Sequence, residues 1–232
     1  MIFMVLFYAV AMLYLVLIGM ALGGEYMLQG SAQEQQKALE EAVFAHYYSP
    51  AGIAGMYLLQ FLLLFPVVIL AANFPQQPWR KTLGFRRFNP LLLKPWLMVF
   101  AILLTLEYWI TELLDIDVGE FIRIISGSKH FPLALVTIFL APVLEEAIFR
   151  GYLFAAWRQT RLGLSGTLLL TSVLFAGLHA WQYDIVIIVL LFIGSIILGL
   201  ARERTGTLWV PIILHGVNNL VSVITVVYLG WL

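Results

Sequence analysis

A chain of 232 residues that is 62% hydrophobic and 11% charged departs far from a soluble domain, which is roughly 45–50% apolar and about 25% charged. With a mean hydropathy of +0.95, a water-soluble fold is excluded, and the class implied is all-α: a polytopic transmembrane helical bundle. The net charge of +0 leaves no electrostatic footprint for nucleic acid, and a chain without cysteine has no disulfide, thiolate metal ligand or cysteine nucleophile.

A membrane span needs about 20 mostly apolar residues, and the sequence offers about seven such runs. The first, Met1 to Leu22, lacks the basic flank of a signal peptide and is too long for one, so it reads as a retained span. Glu25 to Pro50 is polar, with a helical stretch around Ala32 to Ala45, and is expected on the outer surface. Ala51 to Ala72 is the second span. Asn73 to Lys94 is basic and rich in Pro and Trp, and reads as a solvated loop touching anionic headgroups. Pro95 to Leu114 and Pro132 to Trp157 follow as the third and fourth spans. Leu164 to Ala180 and Ile185 to Ala201 are short spans joined by a tight aromatic turn, and Leu208 to Leu229 is the seventh. No internal repeat breaks the chain, so residues 1–232 are expected to form a single integral membrane domain.

Loop charge sets the expected orientation. Arg80, Lys81, Arg86, Arg87 and Lys94 fall between spans two and three, Arg158 and Arg161 between four and five, and Arg202 and Arg204 between six and seven. Lys37, Arg123 and Lys129 fall on the other side. Cytoplasmic loops collect Lys and Arg, which places the N-terminus inside and the C-terminus outside.

The fourth span contains Glu145, Glu146 and Arg150. Each such group at bilayer depth costs about 2.5–3.5 kcal/mol even on the lenient insertion scale. Glu146 and Arg150 are i,i+4 with the acid first, the better order for an ion pair. Consecutive helix positions point about 100° apart, so Glu145 does not share that face and is left without a local partner. An unpaired intramembrane carboxylate meets another helix or lines a wet cavity. His179 ends the fifth span, and His215 and Asn219 lie i,i+4 on the seventh. At about 1.5 Å per residue, Glu145 and Asn219 lie roughly 20 Å from the cytoplasmic turns, His179 roughly 25 Å and His215 roughly 15 Å. Helix packing can therefore gather all four.

A carboxylate beside a histidine can activate water as a general base, and a second histidine with an amide can donate to a developing oxyanion. The same two histidines with Glu145 also compose a His2Glu zinc set. The remaining polar groups have plainer readings. His46 and His130 are loop histidines. Glu107 and Glu112 are polar glue between helices or line a water path. Gly19 and Gly23 form a GxxxG suited to helix packing.

Three motifs stand in order on successive spans: EExxxR at Glu145–Arg150, FxxxH at Phe175–His179 and HxxxN at His215–Asn219. Together they resemble the CPBP or Abi family, the type II CAAX prenyl endopeptidases and their bacteriocin-processing and immunity relatives. The resemblance covers about residues 132–220, and the first three spans carry no motif of it. It implies an intramembrane glutamate-type endopeptidase acting on a peptide or membrane-protein substrate in a bacterial or archaeal cell membrane. Glu145 would be the general base and His179 would help hold the water. His215 and Asn219 would stabilise the oxyanion, while Glu146 and Arg150 brace one another. No cofactor is required on this reading, with zinc as the alternative. A non-proteolytic immunity or regulatory partner is the competing class, and a proton-coupled carrier using Glu107, Glu112 and Glu145 ranks last, since no inverted repeat is visible. Lipid surrounds any of these, and the sequence sets no oligomeric state.

Overall fold

The computed structural model describes residues 2–26, 31–73, 77–117 and 119–230, and every regular element among them is helical. In chain order these are α1 (Ile2–Tyr26), α2 (Ala32–Tyr47), α3 (Pro50–Asn73), α4 (Trp79–Leu83), α5 (Leu93–Leu113), α6 (Glu120–Ile125), α7 (Phe131–Trp157), α8 (Gly163–Leu178), α9 (Ile185–Thr205) and α10 (Trp209–Tyr228). Six of them, α1, α3, α5, α7, α9 and α10, are long and apolar enough to cross a membrane. At 16 residues the expected fifth span, α8, is shorter. The molecule is a polytopic membrane bundle. Met1, where the first span was expected to begin, and residues 27–30 and 74–76 of the two linkers lie outside the described residues.

Burial ranks the helices. In its most apolar window α7 is 56% buried, against 11% for α1 and for α5. The helix carrying the acidic motif is thus the centre of the bundle, and large apolar side chains such as Met12, Met20 and Leu113 face outward, as lipid solvation allows.

The central helix is not a regular α-helix. Wider π turns run over Val136–Leu140 and Ala147–Leu153, either side of the two glutamates. At the first, the Ala141 N–H reaches back to Val136 O, and Pro142 has no N–H to offer. The carbonyls of Thr137 and Ile138 therefore lack their ordinary helical donors. α10 answers both. Asn219 Nδ2 donates to Thr137 O at 2.8 Å. Gly216 lets the backbones close, since a Cβ there would lie 3.2 Å from Ile138 O. One missing N–H in α7 is thus matched by a glycine and an amide at i,i+3 on its neighbour.

Two linkers differ from, or add to, the sequence expectation. The basic segment after α3 is not a solvated loop where it is described: Leu83 is fully buried. Leu208 N donates to Gly84 O at 2.8 Å, and Thr207 Oγ1 donates to Arg86 O at 2.8 Å. Trp79, Phe85 and Trp209 form an edge-to-face ladder at 5.6 and 5.2 Å. Gly84 takes φ 86°, the left-handed region that favours glycine, and a Cβ there would lie 2.2 Å from the Arg202 guanidinium, which would have to move. The apolar residues interleaved with the charges dock this segment under the helix ends, which charge counting alone hides. The polar helix α2 begins with a reciprocal Ser31–Glu34 capping box. It lies against α1 where Val43 approaches Gly19 at 3.9 Å from the position a Cβ would take, whereas Gly23 has nothing within 4 Å.

Candidate active site

Four of the six residues singled out by the motifs form one connected cluster. Arg150 and Glu146 are both fully buried, and Arg150 Nη1 donates to Glu146 Oε1 at 2.8 Å. The other guanidinium arm, Nη2, donates to Ser195 O at 2.9 Å and Ser195 Oγ at 2.7 Å on α9. Its flat face lies 4.8 Å from the centre of the Phe175 ring on α8, a cation–π contact. Three helices thus immobilise one arginine. A buried ion pair is weak evidence of net stabilisation, but losing one member strands the other charge at a cost of about 3–5 kcal/mol.

His215 joins the two glutamates. Its Nδ1–H donates to Glu146 Oε1 at 2.9 Å, and its Nε2 lies 3.9 Å from Glu145 Oε2. The two carboxylates leave α7 in different directions, and the imidazole spans the difference by presenting one nitrogen to each. Glu146 therefore has two partners, Arg150 and His215, where the sequence reading gave it one. Glu145 Oε2 is buried and has no hydrogen-bond partner among the described residues.

His179 stands apart from that chain of contacts. It caps α8, donates Nδ1–H to Phe175 O at 2.9 Å and stacks on Tyr183 at 6.2 Å. Its Nε2 is left over. The residue lines a cavity of about 110 Å³ together with Glu145. That is room for water, which needs on the order of 10–15 Å³. Glu145 and His179 thus meet across a cavity rather than by direct hydrogen bond. Asn219 commits one amide hydrogen to Thr137 O, and its Oδ1 accepts from Asn218 at 3.4 Å. It is part of the α7–α10 seam first, with its second amide hydrogen unassigned.

His215 Nδ1 is committed to Glu146 and His179 Nδ1 to Phe175, which leaves the Nε2 of each histidine free. Among the described residues no three His, Cys, Asp or Glu side chains converge as metal ligands.

Sequence reasoning passed over several neighbours. Ser195 is one small hydroxyl in an apolar helix and carries no signal of its own. Phe175 was noted only as the first letter of a motif, yet its ring touches Phe149, His179 and His215 at 5.4, 5.1 and 5.8 Å and Arg150 besides. Gln60, a polar residue inside a 24-residue apolar span, would have yielded to the argument already used for Glu145. Of the other candidates, His130 caps the start of α7 by accepting from Leu133 N at 3.2 Å. His46 and Glu112 are exposed. Glu107 lines a second cavity of about 40 Å³ on the far side of His215, with Ser195 and Asn218. In the loop after α8, burial pushes the Tyr183 phenol up, and the charges of Glu145 and Glu107 add to it.

Comparison with known proteins agrees with the motifs. Residues 127–221 match the family model described as type II CAAX prenyl endopeptidase Rce1-like. A curated protein of Escherichia coli, described as an uncharacterized 24.3 kDa protein, is 31% identical over 129 residues, which cover 52% of this chain and 58% of that protein. No solved structure matches. The matched segment holds all six motif residues and the whole Arg150–Glu146–His215–Glu145 chain of contacts; residues 127–221 are thus an Rce1-like type II CAAX prenyl endopeptidase family domain, set in an integral membrane bundle.

Proposed function

We propose that this protein is an intramembrane endopeptidase that hydrolyses a peptide bond in a peptide or membrane-protein substrate. The single observation that carries the proposal is that Glu145 makes no hydrogen bond among the described residues and lines the same cavity as His179, while Glu146 is held through Oε1 by Arg150 and His215. Glu145 takes a proton from a water held between it and His179 Nε2, and the water oxygen bonds to the scissile carbonyl carbon. The carbonyl oxygen becomes an oxyanion. His215 Nε2–H and the second Asn219 amide hydrogen donate to it. Collapse of the intermediate breaks the C–N bond, and Glu145 returns its proton to the leaving nitrogen. The products are a carboxylate and an amine, with no net proton change beyond their own ionisation. Glu146 and Arg150 do not touch substrate on this reading; they hold His215 in its orientation. The N-terminus is proposed to face the cytoplasm, from the Lys and Arg distribution.

The test is cleavage of a quenched fluorescent peptide library by purified protein, wild type beside Glu145→Ala, each with and without a zinc chelator. Glu145-dependent cleavage that survives chelation supports the reading. A fully active Glu145→Ala protein overturns it. Cleavage lost on chelation and restored by zinc would move the histidines into a metal site. A binding or immunity role would survive both Glu145→Ala and His179→Ala in a complementation assay.

A further inference from the structure

The cavity beside Glu145 is not built by the family segment alone. Across from Glu145 and His179 it is closed by α3, which lies outside residues 127–221 and presents Met56, Tyr57 and Gln60. Tyr57 and Gln60 are i,i+3 and share a face of that helix. Gln60 is 7% exposed and makes no hydrogen bond among the described residues. Its span has a mean hydropathy of 2.4, and its side chain lines the cavity. Gln182, from the loop after α8, lines the same cavity, and its Oε1 is buried without a partner. A carboxamide taken out of water and left unpaired destabilises the fold. Gln60 and Gln182 both line the cavity beside Glu145.

A side-chain amide is the complement of a peptide group: it offers N–H to a carbonyl and a carbonyl to an N–H, in one plane. We propose that Gln60 docks the main chain of the substrate, donating its amide N–H to a peptide carbonyl and accepting a peptide N–H, while Gln182 accepts from a second peptide group. Recognition of this kind is blind to side-chain identity, so selectivity among substrates falls to the apolar walls of Phe7, Leu178 and Trp181. The proposal rests on the peptidase reading for its choice of ligand. It assigns to α3 the positioning of the chain that Glu145 would cut.

The test uses the full-length protein in lipid nanodiscs and a probe that need not be cleaved. The diamide acetyl-leucine methylamide is titrated against wild type and Gln60→Met, with tryptophan fluorescence as the readout because Trp181 lines the cavity. The ester analogue, acetyl-leucine methyl ester, in which one N–H is replaced by oxygen, is titrated alongside. Gln60→Met should bind the diamide about tenfold more weakly, the scale of one neutral hydrogen bond. It should no longer distinguish diamide from ester, whereas wild type should prefer the diamide. Its unfolding temperature should be no lower than wild type, since an unpaired amide has been removed. Equal diamide affinity in the two proteins, binding by neither, or a lower unfolding temperature would each overturn the subsite. None of these readings requires cleavage. Gln60-dependent binding together with a fully active Glu145→Ala protein would sink the peptidase reading and leave the subsite standing. Cleavage by Gln60→Met with a wild-type KM would sink the subsite alone.

Discussion

Glu145 and Glu146 are adjacent in the chain and live in opposite environments. Glu146 is in the dry end of the motif, fully buried, and held by Arg150 and His215 at 2.8 and 2.9 Å. Glu145 makes no hydrogen bond among the described residues and lines a cavity, although each glutamate keeps a buried Oε2 without a partner there. The 100° helical step between neighbouring residues is what allows this division. One oxygen of Glu146 is committed to structure, whereas Glu145 makes no hydrogen bond among the described residues. An unpaired buried carboxylate is a cost to folding, and such costs concentrate where chemistry needs them.

If that division is right, the two ends of the motif should break differently. The largest stability effect belongs at the dry end. Arg150→Met strands Glu146 and should destabilise the protein by about 3–5 kcal/mol, read from thermal unfolding in detergent. The paired change Glu146→Leu with Arg150→Met should recover most of that loss, because replacing both members of a buried pair is often neutral or better. A double variant as unstable as Arg150→Met would argue that Ser195 and Phe175, rather than Glu146, hold the arginine.

The seam between α7 and α10 sharpens the comparison. Asn219→Ala leaves Thr137 O without a donor, and an unsatisfied buried carbonyl costs about 1–3 kcal/mol. Cleavage should fall along with stability. Unchanged stability with lost cleavage would assign Asn219 to the substrate alone. Ser195→Ala removes one charge-assisted hydrogen bond and keeps the backbone one, so its loss of stability should be smaller, about 1–2 kcal/mol, with kcat little changed.

The smallest effect lies outside the membrane, at α2. Backbone and side-chain hydrogen bonds from Ser31 hold the Glu34 carboxyl below its usual range. A carboxyl lowered in the folded state stabilises above its unfolded value, and that contribution is lost as pH falls through the folded one. Protection of amides in the first turn of α2, corrected for the pH dependence of intrinsic exchange, should therefore fall as pH drops below the ordinary carboxyl range, and Glu34→Gln should flatten the dependence. Protection there that ignores pH would show that packing against α1, not the cap, holds the helix.

Much of this molecule was legible in its sequence because a membrane makes polarity conspicuous. Long apolar runs gave the spans, and Glu145, Arg150 and His215 stood out since each is costly inside one. The cost argument stops short of geometry. Hydropathy says nothing about hydrogen-bond register, so the π turns around the glutamates were invisible, although Pro142 marks the site of one. The reading gave Glu146 to Arg150 by i,i+4 spacing and could not see that His215, 69 residues on, shares the same oxygen. Ser195 left no trace, because a serine in a membrane helix is ordinary. Gln60 left a trace that the three motifs overshadowed. The basic linker misled for the opposite reason: its charges are conspicuous, and the residues that dock it, Leu83 and Phe85, are not.

The most direct test of the division between the two glutamates is a matched measurement of unfolding temperature and cleavage rate on Glu145→Gln and Glu146→Gln. The account predicts that Glu145→Gln unfolds at or above the wild-type temperature while cleavage falls about 10²–10⁴-fold, the scale of a lost general base. Glu146→Gln should lose stability first and activity with it. A Glu145→Gln protein that cleaves at the wild-type rate, or that loses as much stability as Glu146→Gln, would contradict the account.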